Sequence, residues 1–205
     1  MSHTLGIRQA QKLKTRQALM DAALRLLETQ SLSSVGLREV TRTVGVTPTA
    51  FYRHFRDMAD LGIALVEETL GSLHATIGEA LEERTDEDRI DRSVELVAEL
   101  VRAFPAHVRF VARERHGGVA PVRRAIGEQL RQFGDEVAAA FADQPEWAGW
   151  SEDDLRMVAG MYVDHMVMTA SALLEAEGAE GRAEVSRLAR RRLRLISLGR
   201  RHWLD

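Results

Sequence analysis

The sequence predicts an all-α protein of about nine helices: an N-terminal three-helix head built on a helix-turn-helix, then a helical body. Three observations predict it. Apolar residues recur in steps of three and four along most of the chain, and no strand-like alternation runs beyond a few residues. Aromatics make up only 5% of the 205 residues and proline only 4 of them, which suits helices better than a β-sandwich. Capping residues and glycines stand where the periodic stretches stop and start.

The first helix is expected over residues 7–29, with Leu13, Met20, Leu24 and Leu27 on one face and Lys12, Lys14 and Arg16 near its start. Residues 30–34 break it. A second helix spans 37–44 and ends at Gly45, because glycine tolerates the left-handed conformation of a tight turn. Thr47 is a good N-cap and Pro48 a good first helical residue, so a short third helix is expected over 48–54. Residues 58–83 carry Leu61, Leu65, Leu73 and Ile77 at helical spacing without a proline, which predicts one long helix.

Thr85 to Asp88 caps the next helix, whose Ile90, Val94, Val97, Val101 and Phe104 form a single apolar face. Pro105 starts a shorter helix that is expected to end at Gly117-Gly118. Pro121 opens another, with Val122, Ile126, Leu130, Phe133, Val137 and Phe141. Residues 143–150 read as a loop, and Ser151 with Asp154 resembles a capping box. The helix over 152–176 is apolar on more than one face (Leu155, Met157, Val158, Met161, Tyr162, Met166, Met168, Leu173) and so should be buried on two sides. Gly178 and Gly181 are expected to separate it from a last helix over 182–203.

The formal net charge of −3 argues against nucleic acid only when the chain is taken whole. Residues 1–60 carry a net of +4 and the rest −7, the asymmetry of a DNA-binding head on a separate acidic body. The division is placed at 1–57 and 58–205. With no cysteine, thiolate metal sites, disulfides and a cysteine nucleophile are excluded. No apolar run approaches about 18 residues, and the N-terminus lacks a signal core, so neither a membrane span nor secretion is expected and the cytoplasm is. No glycine-rich phosphate loop, nucleophile elbow or acid-base pair appears, so no catalytic residues and no enzyme are expected.

In the stretch from Leu37 to Phe55, Leu37, Val40, Val44, Val46, Phe51 and Phe55 are spaced to share a small core. Thr47, Thr49, Tyr52, Arg53 and His54 are left facing out. Short polar groups at a helix start and a Tyr-Arg-His cluster at its end suit the major groove, and a helix N-terminus attracts phosphate. The threonines can donate to phosphates or touch thymine methyls, and Tyr52 and His54 can bond to the backbone. Arg53 is a phosphate clamp or a guanine reader. With the basic flank, the expected DNA-facing set is Lys14, Arg16, Arg38, Thr47, Pro48, Thr49, Ala50, Tyr52, Arg53 and His54.

The basic first helix, the helix-turn-helix ending in Phe51-Tyr52-Arg53-His54-Phe55 and the long fourth helix resemble the TetR family of transcriptional regulators. Many members carry a phosphate-gripping lysine early in the fourth helix. Here Met58 stands near that position, between Asp57 and Asp60, with Arg56 as a substitute. Four further runs resemble the DesT and FabR branch: 37–42, 51–58, 61–66 and Phe110-Val111-Ala112-Arg113-Glu114-Arg115-His116-Gly117-Gly118. The C-terminal His202-Trp203-Leu204 does so too. The resemblance implies a dimeric repressor of unsaturated fatty-acid synthesis genes that binds a palindromic double-stranded operator. It implies no cofactor, and as effector a long-chain acyl-CoA, saturated and unsaturated chains acting oppositely.

An acyl chain needs an apolar tunnel, for which Val97, Val101, Phe104, Phe133, Val137, Phe141, Met157, Met161 and Met168 are available, methionine adapting to chains of different shape. The expected ligand set is Val101, Phe104, Phe110, Arg113, Phe133, Val137, Met161, His165 and Met168. Each apolar member also suits simple core packing. His165 lacks a second metal ligand one turn away, so no metal is expected. Some of Arg109, Arg113, Arg115, Arg123 and Arg124 meet coenzyme phosphates, or else they form solvated faces or pair with Glu114 and Glu128. The arginines 190, 191, 192, 194, 200 and 201 interleave with leucines, the pattern of a packed helix with a basic edge. By family resemblance the last two helices make the homodimer. Two alternatives stay open: a repressor of an efflux or catabolic operon released by a drug-like apolar ligand, and a helical acyl-binding protein without a DNA role.

Overall fold

The computed structural model describes residues 2–71, 73–81, 83, 85–200 and 202–203, without side chains for 2–8, 75–77 and 79. The expected roles of Ile77, Arg201 and Leu204 therefore fall outside what is described. Among the described residues all regular structure is helical: α1 Ser2–Leu27, α2 Leu37–Val44, α3 Pro48–Phe51, α4 Met58–Gly71, α5 Leu73–Leu81, α6 Asp86–Ala103, α7 Pro105–Glu114, α8 Ala120–Ala142, α9 Glu152–Glu175 and α10 Gly178–Arg200. A 3₁₀ turn, Pro145–Trp147, joins α8 to α9.

The caps do what their chemistry requires. Gly45 sits at φ 74° and closes α2. Thr47, Thr85 and Ser151 each accept a hydrogen bond from the backbone N–H three residues on. Some boundaries differ from the sequence expectation. α1 begins at Ser2, since no proline precedes residue 7 and extending a formed helix needs no new nucleus. α3 stops at Phe51 and continues only as a turn to His54, because Phe51 and Phe55 must both reach the core. α7 stops at Glu114, short of the double glycine.

Gly181 does not separate α9 from α10. Gly178, at φ +66°, makes that turn alone, and Gly181 lies inside α10. Residues 143–150 are more ordered than a plain loop: Trp147 is buried and stacks on Phe141 at 4.3 Å between centroids.

The largest core cluster crosses residue 57. Leu19, Leu27, Leu32, Phe51, Phe55, Leu61 and Leu65 share it with Phe110, Val111, Val122, Ile126 and Phe133. Three smaller clusters lie further from the head, around Phe141, Leu193 and Leu173.

α9 buries only one side within the chain. Its opposite face leaves Met157, Met161 and Met168 exposed, and α10 does the same with Leu195 and Leu198. α9 also has an 18-residue window of mean hydropathy 1.3, making it the one described helix long and apolar enough to cross a membrane. Its other face is engaged by α8, α10, α6 and α7.

Candidate DNA-binding face and effector cavity

The helix-turn-helix is built from its core outward. Val40, Phe51 and Phe55 are buried, with Leu37, Val44 and Val46 packed against them. The Thr47 hydroxyl accepts from Ala50 N–H at 3.2 Å and so fixes the start of α3. That arrangement leaves Thr47, Pro48, Thr49, Tyr52 and Arg53 exposed, Ala50 half-buried, and Lys14 and Arg38 exposed beside them.

Arg16 and His54 are placed differently from the expectation of outward-facing groups. The Arg16 guanidinium donates to the His54 carbonyl oxygen at 3.1 Å and lies 4.3 Å from the Phe55 ring centre. It holds the end of the recognition turn against α1. His54 is half-buried and its Nδ1 has no hydrogen-bond partner among the described residues. Burial, then the charges of Lys12, Arg16 and Arg53, push its imidazole below the ordinary value, which favours the neutral ring.

Arg56, the candidate replacement for the missing lysine, pairs with Asp60 at 2.9 Å while its own N–H donates to the same carboxylate. Asp57 in turn accepts from Asp60 N–H at 2.8 Å. The three residues organise the start of α4.

Below the head, α7 grips the α1–α2 connection. Glu114 is buried, and its Oε1 accepts from the Leu32 N–H at 2.9 Å. Arg113 donates to the carbonyl oxygens of Leu27 at 3.0 Å and Gln30 at 2.6 Å, at the C-terminal end of α1. Gly62 lets α4 approach closely: a Cβ there would stand 2.6 Å from Leu32 and 2.7 Å from Val122.

A cavity of about 560 Å³ lies in the body between α4–α5, α6, α7, α8 and α9. One face of α6 lines it from end to end: Asp86, Arg89, Ile90, Ser93, Val97, Leu100, then Phe104. At about 1.5 Å per residue the 18 residues of α6 span roughly 27 Å, so the cavity is a tunnel rather than a pit. Its walls are almost wholly apolar and include Leu70, Val108, Val111, Phe133, Val137 and Met166.

Phe104, Phe133 and Val137 of the expected ligand set line this tunnel, and so do Val97 and Phe141. The other six members of that set are engaged elsewhere. Val101 packs with Val108 and Leu173. Phe110 belongs to the core shared with the head. Arg113 holds the end of α1. Met161 and Met168, like Met157, sit on the outer face of α9. His165 is buried and bonds the Ala189 carbonyl oxygen through Nε2 at 3.3 Å, joining α9 to α10. Sequence reasoning missed Tyr162, Val163 and Val167 as wall residues, although Tyr162 and Met166 stand one turn apart on α9.

The arginines around the double glycine are mostly engaged. Arg115 lies 3.6 Å from Asp164, and Arg123 donates to the Gly117 carbonyl at 2.5 Å. On α10, Arg190 pairs with Asp91 at 2.8 Å and Arg194 with Glu87, which ties its basic edge to α6. One tunnel end is closed by a polar cluster. Asp86 accepts from Arg89 at 2.7 Å, Ser197 at 2.8 Å and Arg200 at 2.6 Å, and Arg89 also reaches Glu146 at 2.7 Å. Arg200 lies over the Trp147 ring at 4.7 Å. Burial pushes the Asp86 carboxyl up, but the hydrogen bonds from Arg89, Arg200 and Ser197 outweigh it and hold it below the usual range.

Comparison with known proteins places this geometry. Residues 19–65, the head and the start of α4, match the family described as bacterial regulatory proteins, tetR family. The fold of nearly the whole chain recurs in solved structures. The fatty acid degradation regulator FadR of Bacillus halodurans is 15% identical, with a TM-score of 0.70 over 88% of this chain and 93% of its own. FadR of Bacillus subtilis, in complex with stearoyl-CoA, is 16% identical, with 0.69 over 88% and 96%. A TetR-family regulator from Syntrophomonas wolfei is 14% identical, with 0.74 over 90% and 95%.

The head thus resembles that of the TetR-type transcriptional regulators, and the chain as a whole shares their fold. Such regulators are DNA-binding proteins and not enzymes. At these identities the likeness of the body is one of fold alone.

Proposed function

We propose that this chain is a dimeric, cytoplasmic repressor of fatty-acid genes whose DNA binding is set by a long-chain acyl-CoA, in the manner of the DesT and FabR branch. Residues 1–57 are its DNA-binding unit and 58–205 its ligand-binding and dimerisation unit. The observation that carries the reading is the tunnel along α6, apolar and long enough for an extended acyl chain. Each buried methylene contributes roughly 0.8 kcal/mol, so such a chain supplies ample affinity before ordering costs. The complex of the Bacillus subtilis FadR with stearoyl-CoA supports the same ligand class on the same fold.

The tunnel is also placed to act on the head. Its wall includes Thr69 and Leu70 of α4 and Val111 of α7, and both helices join the core that holds the head. The exposed apolar faces of α9 and α10 fit a second copy of the chain. In that dimer the two recognition turns meet successive major grooves of a palindromic operator only at about 34–36 Å separation. A ligand shifts this spacing if it binds the two conformations unequally.

The test is an electrophoretic shift on the promoter region of the protein's own gene, with saturated and unsaturated acyl-CoA added separately. Opposite effects of the two ligands are expected. Identical shifts with both ligands and with none would overturn the fatty-acid reading. Release by a drug-like apolar compound alone would favour an efflux or catabolic repressor, and absence of operator binding a helical acyl-binding protein.

A further inference from the structure

The tunnel is not apolar at both ends. Along the N-terminal half of α6 two hydroxyl-bearing residues, Tyr162 and Ser93, line the wall, and Tyr162 packs there against the cluster of Ile90, Val94, Ala189 and Leu193. Neither hydroxyl has a hydrogen-bond partner among the described residues. The neighbouring charged groups are different: Asp86 and Arg89 satisfy each other and are further satisfied by Ser197, Arg200 and Glu146. The phenol contacts Phe141 edge-on, at 5.5 Å between ring centres. Its oxygen, the Ser93 hydroxyl and the buried Trp147 Nε1 are thus polar groups of the wall residues here with unmet hydrogen-bonding capacity.

A saturated chain reaching this point sets a methyl group against two unpaired hydroxyls, which leaves them desolvated and unmatched. A chain carrying an oxygen there matches them. The direction of entry follows from closure. The mutually paired Asp86, Arg89, Ser197, Arg200 and Glu146 shut the end at the start of α6. At the opposite end Phe104 is 53% exposed and forms a mouth. The coenzyme thus stays at the Phe104 end, and the far end of the chain reaches Tyr162.

Resting on the acyl-CoA reading above, we propose that Tyr162 and Ser93 form a subsite for an oxygen-bearing chain terminus, so that the preferred effectors are acyl thioesters hydroxylated near their distal end. Tyr162 is pushed up to about 12, chiefly by burial, so it remains a protonated donor at any physiological pH. A site that holds a ligand hydroxyl discriminates against the analogue lacking it, because its own polar groups are then left unpaired.

The test is calorimetric titration of the full-length protein with palmitoyl-CoA and with 16-hydroxypalmitoyl-CoA. About ten-fold tighter binding of the hydroxylated chain is expected, the effect of one well-made hydrogen bond. In Tyr162→Phe the ratio of the two affinities should fall to near one, and in Ser93→Ala it should fall part of the way. Equal or weaker binding of the hydroxylated chain to the wild-type protein overturns the subsite and leaves the acyl-CoA reading standing. A preference that survives in both variants overturns the assignment to this end of the tunnel. Failure of both ligands to bind overturns the two readings together.

Discussion

The Glu114 carboxylate of α7 accepts a hydrogen bond from the backbone N–H of Leu32, 82 residues earlier, at 2.9 Å in the buried seam between head and body. Three residues before it, Val111 lines the tunnel. One short helix thus borders the cavity with Val108, Val111 and Ala112 and holds the α1–α2 connection with Arg113 and Glu114. Glu114→Ala leaves the Leu32 N–H buried without an acceptor, and should cost about 2 kcal/mol. Glu114→Gln keeps a carbonyl acceptor and should lose less. Urea unfolding midpoints of the two variants check this; equal losses would mean that charge, not the bond to Leu32, matters there.

The recognition turn divides its side chains between holding and reaching. Tyr52 is 62% exposed and Arg53 is exposed, so replacing either with alanine should leave the thermal midpoint almost unchanged. Specific operator binding should be lost in both. For Arg53→Ala a salt titration separates two roles. A phosphate clamp reduces the slope of log K against log salt by about one and weakens all sequences alike; a guanine reader relaxes preference at one position. Arg16→Ala should differ from both, because it frees the His54 carbonyl and the Phe55 ring and so lowers stability along with DNA binding.

Much of this head was legible in the sequence because its signals are local. Gly45, Thr47 and Pro48 fix the turn by their own backbone and side-chain chemistry, and Phe51 and Phe55 sit one turn apart. The tunnel wall was less legible. Helical spacing identifies Val97, Val101 and Phe104 as one apolar face, but it does not say that Val97 and Phe104 border empty space while Val101 meets Leu173. Likewise the two apolar faces of α9 are visible as a pattern. Which of them turns inward depends on α8 and α10, whose placement no local signal encodes. The bond between Arg16 and His54 and that between Glu114 and Leu32 join distant segments, so neither has a signature in spacing.

Two histidines set an acid limit on stability. Burial pushes His54 below the ordinary imidazole value of 6.5, with Lys12, Arg16 and Arg53 adding to it. Burial also pushes His165 down, opposed by its bond to Ala189 and assisted by Arg192. In both cases the unfolded chain binds the proton more readily than the folded one. Stability should therefore be full above pH 6.5 and decline as the pH falls below it towards the folded-state values. Unfolding midpoints between pH 5 and 8 measure the decline, and His165→Gln should flatten part of it. A midpoint constant over that range would contradict the assignment.

The polar end of the tunnel should be a stability element as well as a wall. Asp86 is the common acceptor for Arg89, Ser197 and Arg200, and the Arg200 side chain is only 7% exposed. Asp86→Ala leaves Arg200 without its carboxylate and Arg89 with that of Glu146 alone, at the junction of α6, the Trp147 turn and α10. Removing one partner of a buried ion pair is costly, but Asp86 keeps some contact with solvent, so a loss of about 2 kcal/mol is expected. Acid should have the same effect. The folded-state carboxyl lies below its ordinary value of 3.8, so its contribution is present above that value and lost as the pH falls through the folded one. Asp86→Asn should remove this part of the acid dependence while losing less stability at neutral pH than alanine, since its amide oxygen still accepts one bond. Equal acid profiles in the wild-type protein and Asp86→Asn would place the acid limit on other carboxylates.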